Sequence, residues 1–245
     1  MKPILARAER ARLRRLTRRR LLVALDYDGT LAPIVRRPER AALRLGTRGL
    51  LRRLAVLYPC VVISGRSRRD LLRRLRGLGL AGLIGNHGGE PSPRGRALRA
   101  RVKRWRTTLE ARLGALTGVT IEDKGLSLAI HYRGARRADA TRTAIRAAGA
   151  RLVGARLVGG KHVVNVVPAE APHKGAALEA VRLRLGCDCS LYVGDDETDE
   201  DAFAVAGAAR IGVRVGRKQG SRARYYLRGQ VQVDALLELL LRLRS

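Results

Sequence analysis

Four short apolar runs set the rhythm of the chain: Leu21–Leu25, Val61–Ile63, Leu83–Ile84 and Leu191–Val193. Each ends in a polar or glycine-rich turn, and a fifth run, Ala209–Val213, follows. Residues 43–57 and 68–78 repeat apolar side chains at helical spacing, and Gly175–Leu185 does so ahead of the fourth run. Runs bounded by turns and alternating with helices predict βαβ units around a parallel sheet buried on both faces. The carboxyl ends of such strands form one rim, where ligands bind. The polar residues that follow the runs can therefore share one site although about 170 positions separate the first from the last.

Residues 96–168 break this rhythm. A long helical pattern, Ala97–Leu116, precedes strand-like runs at Val119–Glu122 and Leu126–Tyr132. A second helix is predicted over Arg136–Ala148, and strands around Leu152–Val158 and His162–Val167 flank Gly159-Gly160. Hairpin-connected strands with two helices predict a small α+β domain (96–168) inserted into an α/β core made of 1–95 and 169–245. Pro91, Pro93, Pro168 and Pro172 flank the insert, as linkers and hinges would. Residues 3–20 read as an arginine-studded surface helix in preference to a transit peptide, since serine is absent and the first core strand starts at Leu21. Leu236–Leu243 reads as a packed terminal helix.

Composition narrows the class. With 46 % apolar residues in 245, the chain can bury a sizeable core and is no disordered polyelectrolyte. The absence of an 18-residue apolar run excludes an ordinary transmembrane helix. Three cysteines (Cys60, Cys187, Cys189) are too few for a disulfide scaffold, so a reducing, cytoplasmic setting is expected, with a monomer and no membrane partner. Cys187-Asp188-Cys189 lacks the second ligand pair of a structural zinc site. The net charge of +30 comes almost wholly from arginine, 45 of the 51 basic residues. It is spread over the first 168 positions, and only eight aromatic side chains are available for stacking on bases. No specific nucleic-acid partner is expected, although a basic nucleic-acid-binding protein remains the rival reading from a different class.

The chemistry gathers after the strands. Asp26-Tyr27-Asp28-Gly29-Thr30 closes the first run, and Asp195 to Asp201 places six acids in seven residues of an acid-poor chain. Taken singly, each could be a polar turn. Together on one rim they form a hard-cation site suited to Mg²⁺, because crowded carboxylates need a compensating cation. Lysine is scarce, which singles out Lys124, Lys161 and Lys174. Lys174, at the start of a helix, suits a phosphate clamp. Ser64-Gly65 opens the helix after the second run, where a hydroxyl and backbone N–H groups can cradle an anion or simply cap the helix.

In this order, Asp-x-Asp-Gly-Thr, the strand-end Ser64, Lys174 and Gly-Asp-Asp-x-x-x-Asp resemble the haloacid dehalogenase superfamily of aspartyl-phosphate phosphatases. The resemblance implies a Rossmann-like α/β core with a cap. It makes Asp26 the nucleophile and Asp28 the general acid/base. Thr30, Ser64, Gly65 and Lys174 would bind phosphate, and Asp26, Asp28, Asp195, Asp196 and Asp199 would form or support a Mg²⁺ site. Leu-Asp-Tyr-Asp-Gly-Thr-Leu-Ala-Pro-Ile (25–34), Ile-Ser-Gly-Arg-Ser (63–67), Gly-Asn-His-Gly-Gly-Glu (85–90) and Gly-Asp-Asp-Glu-Thr-Asp-Glu-Asp-Ala-Phe (194–203) are similar to the trehalose-6-phosphate phosphatases in particular. Glu122-Asp123-Lys124, Ser127 and His131-Tyr132-Arg133 resemble that family's cap.

This implies sugar-phosphate binding by Arg66, His87, Glu122, Lys124, Arg133 and Asn165, and hydrolysis of trehalose 6-phosphate. One departure stands out: Asn165 and Val167 occupy positions where the family usually carries Glu and Arg. Loss of a charged acceptor there keeps open another disaccharide phosphate or a glycosyl-phosphoglycerate as substrate.

Overall fold

A computed structural model describes residues 1–35, 37–160, 162–205 and 207–244. In chain order the elements are β1 (Lys2–Pro3), α1 (Arg10–Thr17), β2 (Leu21–Leu25), α2 (Leu45–Leu57), β3 (Cys60–Ile63), α3 (Arg68–Arg74) and β4 (Gly82–Ile84). There follow α4 (Gly95–Leu113), β5 (Thr120–Asp123), β6 (Leu128–His131), α5 (Ala138–Ala150), β7 (Ala155–Gly160) and β8 (Val163–Pro168). The chain closes with α6 (Lys174–Arg184), β9 (Cys189–Gly194), α7 (Glu200–Phe203), β10 (Arg210–Val215), β11 (Tyr225–Leu227) and α8 (Val231–Arg244).

Seven strands form one parallel sheet in the order β1-β11-β10-β9-β2-β3-β4. The period-2 alternation of a strand explains how it is covered on both faces. Leu21, Val23 and Leu25 of β2 join Leu51, Leu54, Leu236 and Leu240 of α2 and α8 in one apolar cluster. Leu22 and Ala24 point the other way, toward Leu178 and Val181 of α6 and Phe203 of α7. Burial of β2 is complete, so its apolar run is continuous, as the sequence shows.

The second sheet is antiparallel, in the order β5-β6-β8-β7. Its helices α4 and α5 cover one face through Trp105, Leu109 and Ile145, packed on Leu128, Ile130, Val164 and Val166. Alternation then sends Thr120, Glu122, His131 and Asn165 to the opposite face, since the register pairs Thr120 with His131, Glu122 with Ala129 and Ala129 with Asn165. That uncovered, polar face looks onto the carboxyl rim of the parallel sheet.

One edge strand departs from the sequence reading. Of the helix predicted over 3–20, a 3-10 turn at Arg7–Glu9 leads into α1 at Arg10–Thr17, and Lys2–Pro3 instead pair with Tyr225–Tyr226 at the sheet edge. Pro3 tolerates that edge because an edge strand need not donate on both sides. Among the described residues no helix is long and apolar enough to cross a membrane.

Candidate active site

The rim after β2 and β9 holds the carboxylates close together. Asp26 N donates to Val193 O at 2.9 Å, stitching the two strand ends. Gly29 has φ +79°, and a Cβ there would lie 2.1 Å from Asp195 Oδ2, so only glycine lets the loop after Asp28 fold onto Asp195. Thr30 Oγ1 then donates to Asp195 Oδ1 at 3.2 Å. Thr30 is fully buried and points at that carboxylate.

Asp199 lies sealed beneath the rim. Its Oδ1 accepts from Lys174 Nζ (2.7 Å) and Tyr192 Oη (2.6 Å), and its Oδ2 accepts from the amides of Asp195 and Asp196, both at 2.8 Å. Lys174 Nζ is also 3.2 Å from Asp26 Oδ1. That oxygen is buried and takes no hydrogen bond. His173 caps α6, its Nδ1 accepting from Ala176 N, and so sets Lys174 at the first helical position.

Electrostatics follow from this crowding. Burial drives the Asp26 carboxyl well above the usual range; Lys174 pulls it back, while Asp199, Asp195 and Asp28 push it further up. Burial, then Asp199 and Asp196, raise Asp195 to about 7. For Lys174 burial disfavours the charge, but Asp199 and Asp26 outweigh it and hold the ammonium protonated. One lysine is thus shared among several carboxylates. Asp26, Asp195 and Asp199 bring oxygens within 4.8 Å of one another. Hard oxygen donors, a buried Asp26 oxygen that has an ion pair but no hydrogen bond, and more negative charge than one lysine balances fit a divalent cation such as Mg²⁺. With its oxygens already engaged four times, Asp199 suits support of the site better than direct ligation.

The neighbouring wall is built around Arg66. Its guanidinium clasps Asp28 through Nε–Oδ2 (2.7 Å) and Nη2–Oδ1 (2.6 Å), and its Nη1 reaches Asp70 Oδ2 at 2.7 Å. Ser64 is buried, and its Oγ accepts from Arg66 N at 3.3 Å. Gly65 is bare because a Cβ would sit 2.5 Å from His87 Cε1. His87 is buried with neither ring nitrogen hydrogen-bonded, and burial, then Lys124 and Lys174, hold its pKa well below 6.5, leaving it neutral.

From the antiparallel sheet come Glu122, Lys124, Arg133 and Asn165, which line the same cleft of about 1330 Å³ as Asp26, Asp28, Ser64, Gly65, Arg66, His87, Lys174, Asp195 and Asp196. Glu122 Oε2 lies 2.9 Å from His131 Nε2, a hydrogen bond that holds the carboxyl below its ordinary range. Burial lowers the Lys124 pKa against the pull of Glu122 and Asp28. Asn165 donates weakly to Val158 O (3.5 Å), and its Oδ1 is buried without a partner. Every candidate residue except the sealed Thr30 and Asp199 therefore lines one cleft. Lys161 lies outside the described residues.

Sequence reasoning missed Asp70 and Tyr192, which hold Arg66 and Asp199. Asp70 stands four residues after Arg66 and four before Arg74, a helical ion-pair spacing that was there to be seen. Tyr192, inside an apolar strand, carries no such signal.

The family model described as trehalose-phosphatase matches residues 24–230. The chain belongs to the trehalose-phosphatase family. Among curated relatives, an uncharacterized glycosyl hydrolase of Mycobacterium tuberculosis is 38 % identical over 82 % of this chain but only 16 % of its own length. A trehalose-phosphate phosphatase of Mycolicibacterium paratuberculosis is 36 % identical over 79 % of this chain and 53 % of its own. This chain thus spans about half the length of its curated phosphatase relatives. The C-terminal domain of trehalose-6-phosphate phosphatase from C. albicans shares the fold, with a TM-score of 0.81 at 22 % identity and full coverage of both chains. The shared fold has an α/β core and a second sheet, as this chain does.

Proposed function

We propose that the protein hydrolyses trehalose 6-phosphate to trehalose and phosphate. The observation that carries this reading is the Asp26–Lys174–Asp199 cluster, buried at the base of a cleft whose opposite wall is the polar face of the second sheet. In this reading residues 1–95 and 169–245 form the catalytic core and 96–168 a cap.

Asp26 would attack phosphorus, forming an acyl-phosphate as the P–O bond to the sugar breaks. Asp28 would give its proton to the leaving sugar oxygen and later take one from the water that attacks the acyl-phosphate, releasing phosphate and free Asp26. Each Asp28 oxygen accepts one bond from Arg66, which leaves its second lone pair for the proton that is transferred. Lys174, the Ser64 hydroxyl and the backbone at Gly65 would hold the phosphoryl oxygens. Thr30 would act through Asp195, which it braces. Asp26, Asp195 and the Asp28 main-chain carbonyl would hold Mg²⁺, with Asp196 and Asp199 in support; bound there it would neutralise phosphate charge that otherwise repels Asp26.

On the cap side Glu122, Lys124 and Arg133 would read sugar hydroxyls together with Arg66 and His87. Asn165 favours a second reading, another disaccharide phosphate or a glycosyl-phosphoglycerate, because its neutral amide replaces a carboxylate acceptor. The test is phosphate release from trehalose 6-phosphate, sucrose 6-phosphate and glucose 6-phosphate, with Mg²⁺ and with EDTA. Mg²⁺-dependent preference for the trehalose ester is the expected result. Preference for a different ester would retain the Asp26 chemistry and replace the substrate.

A further inference from the structure

Asn86 lies in the loop after β4, with φ +49° and 3 % exposure. Its main chain belongs to the core: Asn86 N donates to Arg66 O at 2.8 Å, and the next amide, His87 N, donates to Ser64 O at 3.0 Å. Its side chain belongs to the other sheet. Asn86 Nδ2 donates to Lys124 O at 3.2 Å, and Asn86 Oδ1 accepts from Ser127 Oγ. Lys124 O offers only lone pairs, so the amide orientation is fixed by its partners. Ser127 is fully buried and closes the β5–β6 turn, its carbonyl accepting from Lys124 N at 3.0 Å. One core side chain thus holds both ends of the turn that carries Lys124 into the cleft, while its own amide holds Arg66 and the next one, His87, holds Ser64.

We infer that Asn86 is a positioning residue that latches the β5–β6 turn onto the core, so that Lys124 stands over the phosphate-side residues only while this amide is engaged. The inference rests on the proposed sugar-phosphate reading for its kinetic consequence, though not for the latch itself. Both partners regain water hydrogen bonds when the turn lifts, so the net hold of each bond is modest and the latch is reversible. A phosphate ester that lacks a sugar has no use for Lys124, and its turnover is independent of the latch.

Asn86→Gly tests this cleanly, because glycine accepts the positive φ and only the amide is lost. Ser127→Ala removes the Oγ bond from the opposite side and leaves the core loop intact. Amide exchange across 120–131 should accelerate roughly tenfold in Ser127→Ala, about one net hydrogen bond's worth, and further in Asn86→Gly, which loses both bonds, while 21–25 and 189–194 stay as in wild type. KM for the preferred sugar phosphate should rise roughly tenfold with kcat changed far less, and kcat/KM for p-nitrophenyl phosphate should hold within about twofold. Unchanged exchange across 120–131 would overturn the latch. Equal losses on both esters would overturn the positioning role and make Asn86 a prop for Ser64 and Arg66. A wild type that turns over no sugar phosphate would sink the substrate reading, and the exchange measurement would still decide the latch.

Discussion

At Asp26 the same burial that readies a carboxylate to meet a cation and a phosphate also strains the protein without them. Its folded pKa is raised above 3.8, so ionisation opposes folding. The penalty is absent below the unfolded carboxyl pKa and grows as pH rises. Asp26→Asn should therefore raise Tm by a few degrees in EDTA at pH 7, with no gain below about pH 3.5, while abolishing phosphate release. An unchanged or lower Tm would mean that Lys174 already compensates the charge. The converse holds for Lys174, which is 2 % exposed and pairs with both Asp26 and Asp199. Lys174→Met leaves those carboxylates without their cation and should cost roughly 3–5 kcal/mol, read from urea unfolding. Only one side of this logic was legible in the sequence. The crowding of acids in 195–201 announced a cation, but spacing alone could not say that Asp199 would be sealed under Tyr192 and Lys174 while Asp195 stayed at the cleft. Nor could it reveal that the Thr30 hydroxyl points at Asp195.

Elements that carry short, unbroken apolar runs were readable, and those held only by their neighbours were not. β2, β3 and β9 announce themselves because both faces are buried, whereas α4 stops at Leu113 ahead of Gly114, short of the Leu116 to which the helical pattern runs. β1 and β11 span two and three residues and exist through their pairing to each other and to β10, which no local pattern encodes. Helix α3 shows how an element can serve the site from behind. Ser67 caps it by accepting from Asp70 N at 3.2 Å, and Asp70 in the first turn meets the positive helix end. Asp70 also gathers Arg66, Arg73 and Arg74 within 2.7 Å, and so sets the guanidinium that clasps Asp28. Burial would raise its pKa, but its bonds to Arg74 and Arg66 outweigh that and bring it below 3.8. This stabilisation is present above the unfolded pKa and is lost as pH falls through the depressed folded value. Asp70→Asn should then destabilise by roughly 1–3 kcal/mol at pH 7, shrinking toward zero as pH falls through the depressed folded value. A deficit that persisted at low pH would assign the loss to shape and not to charge.

Across the whole molecule the +30 charge is a field more than a site. Arginines are spread over both sheets' helices, and many spend their charge on internal carboxylates or carbonyls, as Arg214 does on Glu200 and Arg244 on Thr17 O. The cleft lining sets Arg66, Arg73, Arg74, Arg133, Arg214, Lys124 and Lys174 against eight carboxylates, so a dianion is drawn to its mouth by the field of the surrounding arginines more than by the lining itself. Screening acts on the approach of a dianion far more than on contacts already made inside the cleft. Raising salt from 50 to 200 mM should lower kcat/KM for the phosphate ester severalfold and leave kcat nearly constant. The same field will hold duplex DNA at low salt through phosphates alone, and that binding should weaken by roughly 10³-fold or more over the same range if six or more contacts form. It should show no preference among sequences, since backbone contacts carry none. DNA binding that resisted salt and discriminated between sequences, in a protein without phosphate release, would instead make the charge the function and the acidic rim a relic of the fold.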